Sequence, residues 1–182
     1  MTRVKEQHLV HVLPSNSDEI GRALWQLNET RQRLIETVET LELATLEWRP
    51  EAEANSIGTL LYHIAIIEMD WLFVEVLQRP FPPHLEALFS KPDRDSNGRL
   101  TLITGDSIST HLDRLKAVRQ ALLDAFSKLM LDDFRRPRSF EPYDVTPEWV
   151  IFHLLEHEIE HRGHIQERLR QYQQLNLNRE GR

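Results

Sequence analysis

The apolar residues of this chain recur at intervals of three, four and seven along four long segments. Because an α-helix turns by about 100° per residue, that spacing places them on one face of a helix. In the second segment, for example, the apolar stripe runs from Ile57 through Ile64 to Val74. The pattern predicts four helices, over residues 17–46, 56–78, 106–130 and 146–172.

Residues that favour helix ends flank these segments. Ser15 or Ser17 can cap the first helix, and Thr146 followed by Pro147 is typical of a helix start. Three prolines between positions 80 and 83 end the second helix, because proline lacks the N–H that a helix needs. These residues support three of the four predicted helices.

The fold class follows from the four amphipathic helices. No stretch of any length alternates between apolar and polar residues, so no strand pattern competes with the helical one. We therefore predict an all-α protein, and a four-helix bundle is its natural architecture. The connection over residues 79–105 is long for a compact domain, and such loops usually have a functional or topological reason.

Composition narrows the class of protein. With 182 residues, 40% hydrophobic and 28% charged, the chain resembles one ordinary globular domain. We predict a single domain over 1–182, with an N-terminal arm at 1–15 and a polar tail at 173–182. The net charge of −7, without a run of basic residues, argues against nucleic acid or an anionic membrane surface as a partner.

Two absences in the sequence bear on location and chemistry. The first fifteen residues lack the apolar core of a signal peptide, and the apolar stretches are far short of a membrane span, so we expect a cytoplasmic protein. Cysteine is absent. A bound metal must therefore be held by nitrogen and oxygen, and a reacting thiol must come from a substrate.

The last predicted helix carries four histidines within twelve residues, His153, His157, His161 and His164. At about 100° per residue their side chains share an arc of about 80°. Neutral imidazole suits zinc, nickel, iron and copper, and histidines four residues apart can reach one metal ion. A water-facing stripe of histidines and glutamates is the alternative, but the arc overlaps the apolar positions of the helix and should border the core.

A further ligand must come from another helix. His63 lies on the apolar stripe of the second helix and should point inward, whereas His111 lies on a less apolar face of the third. An inward histidine is also commonly a hydrogen-bonded core residue. From the residue pattern alone, a metal site and a site without metal are about equally supported.

Two motifs resemble the DinB/YfiT-like family of helical metalloproteins. One is SIGTLLYHIA at 56–65, and the other is TPEW at 146–149 leading into HEIEHRG at 157–163. The resemblance covers the order of helices, the long middle connection and both histidine motifs. It implies a divalent metal ion, zinc or nickel or else iron, held by three histidines, namely His63, His157 and His161.

One position departs from the family pattern. The family usually has glutamine after the Arg-Gly pair, where this chain has His164. His164 could therefore substitute for a ligand or assist the site from beside it. Glu160 is the other residue that we place beside the metal ligands.

The level of His63 in the bundle tests the family assignment. His63 lies about 10 Å from the start of the second helix, at 1.5 Å per residue. If helices two and four are antiparallel, that level falls near His161 and His164; if they are parallel, it falls at His153. Antiparallel packing requires helices two and three to run parallel, and the connection of about 27 residues can span the bundle, since it reaches about 90 Å when extended. We predict this topology, which agrees with the resemblance.

The resemblance also implies a reaction. Three imidazoles leave a tetrahedral metal one open position, as in catalytic zinc sites. Members of the family include enzymes that transfer low-molecular-weight thiols to electrophiles, thiol-dependent isomerases and proteins described only as metal-dependent hydrolases. We expect a metal-dependent enzyme that activates an exogenous thiol for transfer to a small electrophile, in detoxification or stress.

Two alternatives to this reaction stay open. One is hydrolysis by metal-bound hydroxide, with Glu158 or the better placed Glu160 as base. The other is a non-catalytic metal-binding bundle. The four tryptophans, at 25, 48, 71 and 149, exceed what one small core requires, so either some of them form a homodimer contact or all pack at the core margin.

Overall fold

Four long helices form the body of the molecule, and short helices and one hairpin connect them. The computed structural model describes residues 7–180. The helices are α1 Asp18–Val38, α2 Leu43–Glu47, α3 Ile57–Asp70, α4 Pro83–Glu86, α5 Ile108–Phe126, α6 Leu131–Arg135 and α7 Pro147–Glu180. A π-helical segment, Trp71–Val76, continues α3, and strands β1 Arg138–Ser139 and β2 Asp144–Val145 form an antiparallel hairpin. The predicted all-α fold class is confirmed.

The predicted helix starts are capped by side chains. The hydroxyl of Ser17 accepts a hydrogen bond from the backbone N–H of Ile20, 3.3 Å away. Thr146 accepts one from the N–H of Trp149 at 3.1 Å, and Pro147 is the first residue of α7. These bonds satisfy N–H groups that have no partner within the helix.

The first predicted helix, 17–46, is wrong in its length. It is two helices, because α1 ends at Val38 and the chain turns before α2 begins at Leu43. The turn brings Leu46, 1% exposed, into the same core cluster as Ile57 at the start of α3. The burial of Leu46 therefore favours a turn between α1 and α2, although the apolar residues continue at helical spacing.

The topology is visible in contacts near each end of the bundle. At one end, Arg168 of α7 donates to the carbonyl of Asn55, 3.2 Å away, just before α3. At the other, the rings of Trp71 and Trp149 lie 5.4 Å apart. The order of these contacts makes α3 and α7 antiparallel, as predicted.

Helices α3 and α5 run parallel, so the chain between them crosses the length of the bundle. Gly58, near the start of α3, lies against His111 near the start of α5, where an added Cβ would be 3.1 Å from the imidazole. Ten residues later, Glu68 pairs with Arg119 at 2.7 Å. The connection from 77 to 107, with α4 inside it, is the predicted crossover.

The second predicted helix changes its phase near its end. The π-helical segment adds residues to each turn, so the apolar stripe inferred from a constant period shifts. Val74 is 40% exposed, contrary to the prediction, while Leu72, Phe73 and Val76 are buried. These three residues belong to a core cluster that they share with residues of α1, α5 and α7.

α3 and its continuation form the centre of the molecule. This 20-residue helix, Ile57–Val76, is long and apolar enough to cross a membrane, contrary to our expectation from the sequence. However, 72% of its most apolar window is buried inside the protein. Its apolarity is therefore that of a core helix in a soluble fold.

Parts of the predicted arm and tail have defined structure within the described residues. Residues 173–180 of the predicted polar tail continue α7 as helix. In the predicted arm, the N–H of Leu13 donates to the carbonyl of Gly21 at 3.2 Å, and Leu13 packs on the core. Residues 1–6 of the arm and 181–182 of the tail lie outside the described residues.

Candidate metal centre

His63 of α3 and two histidines of α7 converge where the helices cross. The Nε2 atom of His157 lies 3.1 Å from Nε2 of His63 and 3.1 Å from Nε2 of His161. One nitrogen from each of the three rings lies within 4.8 Å of the others. His63 is 5% exposed, and the two histidines of α7 are half-buried.

The convergence follows from helix geometry. His157 and His161 are one turn apart on α7, so both face α3. The antiparallel register sets His63 at their level, and its ring meets theirs at centroid distances of 4.9 Å in both cases. Among the described residues, these three histidines are the group whose arrangement could hold a metal ion.

A carboxylate from the crossover fixes the orientation of His63. Oδ1 of Asp93 lies 2.5 Å from Nδ1 of His63. A carboxylate at this position holds the proton on Nδ1, which leaves the lone pair of Nε2 directed at the other histidines. The backbone of Asp93 is itself held, because its carbonyl accepts from the N–H of Thr101 at 2.9 Å.

The same loop is tied to α3 one residue from His63. The hydroxyl of Tyr62 donates to the carbonyl of Lys91 at 2.5 Å and accepts from the N–H of Lys91 at 3.0 Å. No sequence signal pointed to Asp93, because it lies in a loop without periodicity, about thirty positions from its partner. This contact between loop and helix is what sequence reasoning missed.

The electrostatics of the site favour neutral imidazole. Burial, together with the neighbouring histidines, lowers the pKa of His157 to about 3. The same causes lower the pKa of His161 to about 4. Both rings are therefore unprotonated near neutral pH, which is the form that binds a metal ion.

Directly behind His157 lies a buried network of four charged side chains, which we call the ion quartet: Arg31, Glu68, Arg119 and Glu158. Each comes from a different long helix. Oε1 of Glu158 accepts from Arg31 Nε at 2.6 Å, and Oε2 accepts from Arg119 at 2.8 Å. Glu68 accepts from Arg31 at 2.5 Å and from Arg119 at 2.7 Å.

The ion quartet also uses backbone acceptors. The remaining donors of Arg31 and Arg119 bond the carbonyls of Leu115 at 2.9 Å and Leu27 at 2.6 Å. Burial opposes ionisation of Glu68, but the two guanidiniums outweigh it and lower the pKa of that carboxyl. Four buried charges are thus paired and hydrogen-bonded, as burial requires.

The glutamates proposed as bases do not face the histidine cluster. Glu158 is 1% exposed, and both of its oxygens accept from arginines of the ion quartet. Glu160, the better placed candidate in our sequence reasoning, lies on the exposed face of α7.

His164 lies beside the histidine cluster rather than inside it. Its side chain is exposed, and its Nδ1 lies 3.5 Å from Nδ1 of His161. Since His161 turns its other nitrogen, Nε2, to His157, His164 meets the outer side of that ring. His164 is thus a neighbour of the cluster, and its auxiliary role stays a prediction.

The other histidines have separate surroundings. His153 stacks on Trp149, with centroids 5.1 Å apart and ring planes 5° from parallel. His111 is 2% exposed and 3.3 Å from a guanidinium nitrogen of Arg114, so it is a core histidine and not part of the cluster. Three more, His8, His11 and His84, are exposed and lie outside the four long helices.

Comparison with known proteins agrees with this architecture. A model of the DinB superfamily matches residues 26–165. The uncharacterized protein YkkA of Bacillus subtilis strain 168 is 25% identical over 150 residues, which span 81% of this chain and 85% of YkkA. A conserved protein from Enterococcus faecalis, known from a crystal structure, shares the fold with a TM-score of 0.62 at 14% identity. That match covers 80% of this chain and 92% of the other.

Proposed function

The chain belongs to the DinB superfamily, and we propose that it is a metal-dependent enzyme whose metal ion is held by His63, His157 and His161. The observation that carries this proposal is the convergence of three imidazole nitrogens within 4.8 Å. Neutral nitrogen donors without thiolate suit zinc or nickel, and also iron. Catalytic zinc sites commonly have three protein ligands and one open position.

We propose transfer of a low-molecular-weight thiol to a small electrophile as the reaction. A bound metal ion would supply Lewis-acid chemistry, which favours the thiolate form of a substrate thiol over the neutral one. The chain has no cysteine, so no internal thiol competes for that position. Sulfur of the substrate thiol would form the new bond to the electrophile, the bond to the electrophile's leaving group would break with its electron pair, and the thiol proton would go to solvent.

Residues around the ligands keep them ready for binding. Asp93 holds the proton of His63 on Nδ1, which leaves Nε2 unprotonated. The ion quartet fixes the rotation of α7 through Glu158, the neighbour of His157. The protein thus presents three lone pairs without first having to reorder its side chains.

Hydrolysis by metal-bound hydroxide is the second candidate. It needs a general base within hydrogen-bond reach of the attacking water. Glu158 cannot serve, because its oxygens are engaged by the ion quartet, and Glu160 lies on the exposed face. A non-catalytic metal-binding bundle would need no base and no open position.

We also propose a homodimer through the outer face of α7. Phe152 and Ile159 lie on this face and are 56% and 45% exposed. Exposed apolar residues that together form a patch often mark a protein–protein contact. Light scattering during size-exclusion chromatography should give twice the chain mass, and Phe152→Glu should return it to one.

Metal analysis of the purified protein tests the ligand set. Substitution of any one ligand by alanine should lower metal occupancy, whereas alanine at an exposed histidine such as His84 should not. Equal occupancy in wild type and His157→Ala would contradict the assignment. The thiol reaction has its own test: cobalt-substituted protein with added low-molecular-weight thiol at pH 7–8 should show a thiolate charge-transfer band, and its absence would favour hydrolysis or a structural site.

A further inference from the structure

A cavity of about 370 Å³ lies where the π-helical segment, the hairpin and the start of α7 meet. It is lined by Trp71, Tyr143, Asp144, Val145, Thr146 and Trp149. The ring of Trp71 lies 5.4 Å from that of Trp149 and 6.4 Å from that of Tyr143. Three large aromatic rings therefore form its walls, and we call it the aromatic cavity.

The charged residue that lines the aromatic cavity is acidic. Asp144 lines it, and no lysine or arginine does among the described residues. Behind Tyr143 lies Glu75, only 6% exposed, whose Oε1 accepts from the Tyr143 hydroxyl at 2.9 Å. Its second oxygen, Oε2, is buried without a hydrogen-bond partner in the described part of the protein.

A buried carboxylate without a compensating cation is costly. Burial raises the pKa of Glu75, and the nearby carboxylate of Asp70 adds to this effect. Burial likewise raises the pKa of Asp70 itself. A positively charged group in the aromatic cavity would relieve both effects, whereas a neutral apolar ligand would relieve neither.

The rings select the same kind of ligand. The faces of tryptophan and tyrosine carry partial negative charge and attract cations, tryptophan most strongly. Trp71 is the first residue of the π-helical segment, and such turns occur frequently at functional sites. Aromatic faces and unpaired acid together favour an organic cation over a neutral aromatic molecule.

The aromatic cavity is close to the histidine cluster. From Trp149, the stacked ring of His153 lies 5.1 Å away, and the ring of His157 lies 5.9 Å beyond that of His153. The aromatic cavity and the cluster are thus neighbouring sections of the same crossing between α3 and α7. A molecule of modest length could occupy the cavity at one end and approach His157 at the other.

We propose that the aromatic cavity binds a substituted ammonium group of the enzyme's substrate. That this molecule is the substrate rests on the proposed function, but the binding itself does not. The ammonium group would lie against Trp71 and Trp149, with the acidic groups around Tyr143 balancing its charge. This assigns the substrate to the class of small organic cations.

The experiment compares choline with 3,3-dimethyl-1-butanol, a neutral molecule of nearly the same shape, by titration calorimetry on the full chain. Choline should bind about 3- to 30-fold more tightly, as expected for a cation facing aromatic rings. Trp149→Leu and Glu75→Gln should abolish most of this preference. Trp149 is 46% exposed, and a glutamine in place of Glu75 could still accept from Tyr143, so both variants are expected to fold.

Trp48→Leu is the matched control, because Trp48 packs on Tyr172 at a distance of 5.6 Å between rings, away from the cavity. It should leave the preference for choline unchanged. Equal affinity for choline and the alcohol would overturn the proposal, as would an undiminished preference in Trp149→Leu.

The titrations should be run on both metal-stripped and metal-loaded protein. Preference for choline in both forms supports the cation site independently of the metal. If the protein binds no metal but still prefers choline, the proposed function fails and the cation site stands. If it binds metal at the three histidines but shows no preference, the cation site fails alone.

Discussion

Replacement of Asp93 by asparagine should weaken metal binding without removing a ligand. Oδ1 of Asp93 lies 2.5 Å from Nδ1 of His63, and that nitrogen is on the opposite side of the ring from Nε2. Asparagine can turn its NH₂ toward Nδ1, which would favour the proton on Nε2 and block the nitrogen that faces the cluster. Changes of this kind typically cost 10- to 100-fold in metal affinity.

That range corresponds to about 1.4–2.7 kcal/mol of binding free energy. Competition with a chromophoric zinc chelator at pH 7.5 measures it directly. Asp95→Asn is the matched control, because Asp95 lies in the same loop and its carboxylate accepts from two backbone N–H groups of that loop, at 2.8 Å and 3.1 Å. Unchanged affinity in Asp93→Asn, or an equal loss in both variants, would refute the reasoning.

Three further predictions address the surrounding structure. Glu158→Gln should lower the free energy of unfolding, measured by urea denaturation, by about 3–5 kcal/mol, because it leaves buried guanidinium charge uncompensated. The control Glu156→Gln, at an exposed position, should change it little. Burial, together with the neighbouring charge of Arg114, lowers the pKa of His111 from 6.5 to about 4. The contribution of neutral His111 to folding stability is therefore complete above pH 6.5 and is lost as the pH falls toward 4. At about 1.4 kcal/mol per pKa unit, this shift corresponds to about 3 kcal/mol of folding free energy. Between these pH values, the free energy of unfolding of the metal-free protein should therefore change by about 3 kcal/mol less in His111→Asn than in wild type. An equal pH dependence in the two proteins would contradict this prediction. His164→Gln should retain the metal, and loss of metal from that variant would make His164 a ligand.

The helices could be predicted because they depend on periodicity within a segment. The set His63, His157 and His161 came from the family resemblance, while the residue pattern alone gave only the shared face of the α7 histidines and a level for His63 near His161 and His164. The break after Val38 could not be predicted, since it depends on where Leu46 finds room in the core. The shift of the apolar stripe after Trp71 could not be predicted either, because the spacing of apolar residues does not reveal a π-helical turn.

The ion quartet was missed although each member left a signal. A charged residue occupies a core position of an apolar stripe in every long helix: Arg31 beside Leu34, Glu68 between Leu61 and Leu72, Arg119 beside Leu122, and Glu158 between Leu154 and Ile165. A single charged residue within an apolar stripe is usually interpreted as the edge of the buried face of that helix. Two acids and two bases at matching depth in four helices indicate a paired network, because buried charges are tolerated only when they are paired.

The position of the ion quartet bears on how the histidine cluster is oriented. His157 and Glu158 are consecutive, so their side chains leave α7 about 100° apart. Six hydrogen bonds between acids and guanidiniums hold Glu158 and Glu68 inward. With Glu158 fixed, the rotation of α7 is fixed, and His157 and His161 can only face His63. The ion quartet therefore orients the histidines of α7, although the hydrogen bonds described for its members do not involve those histidines.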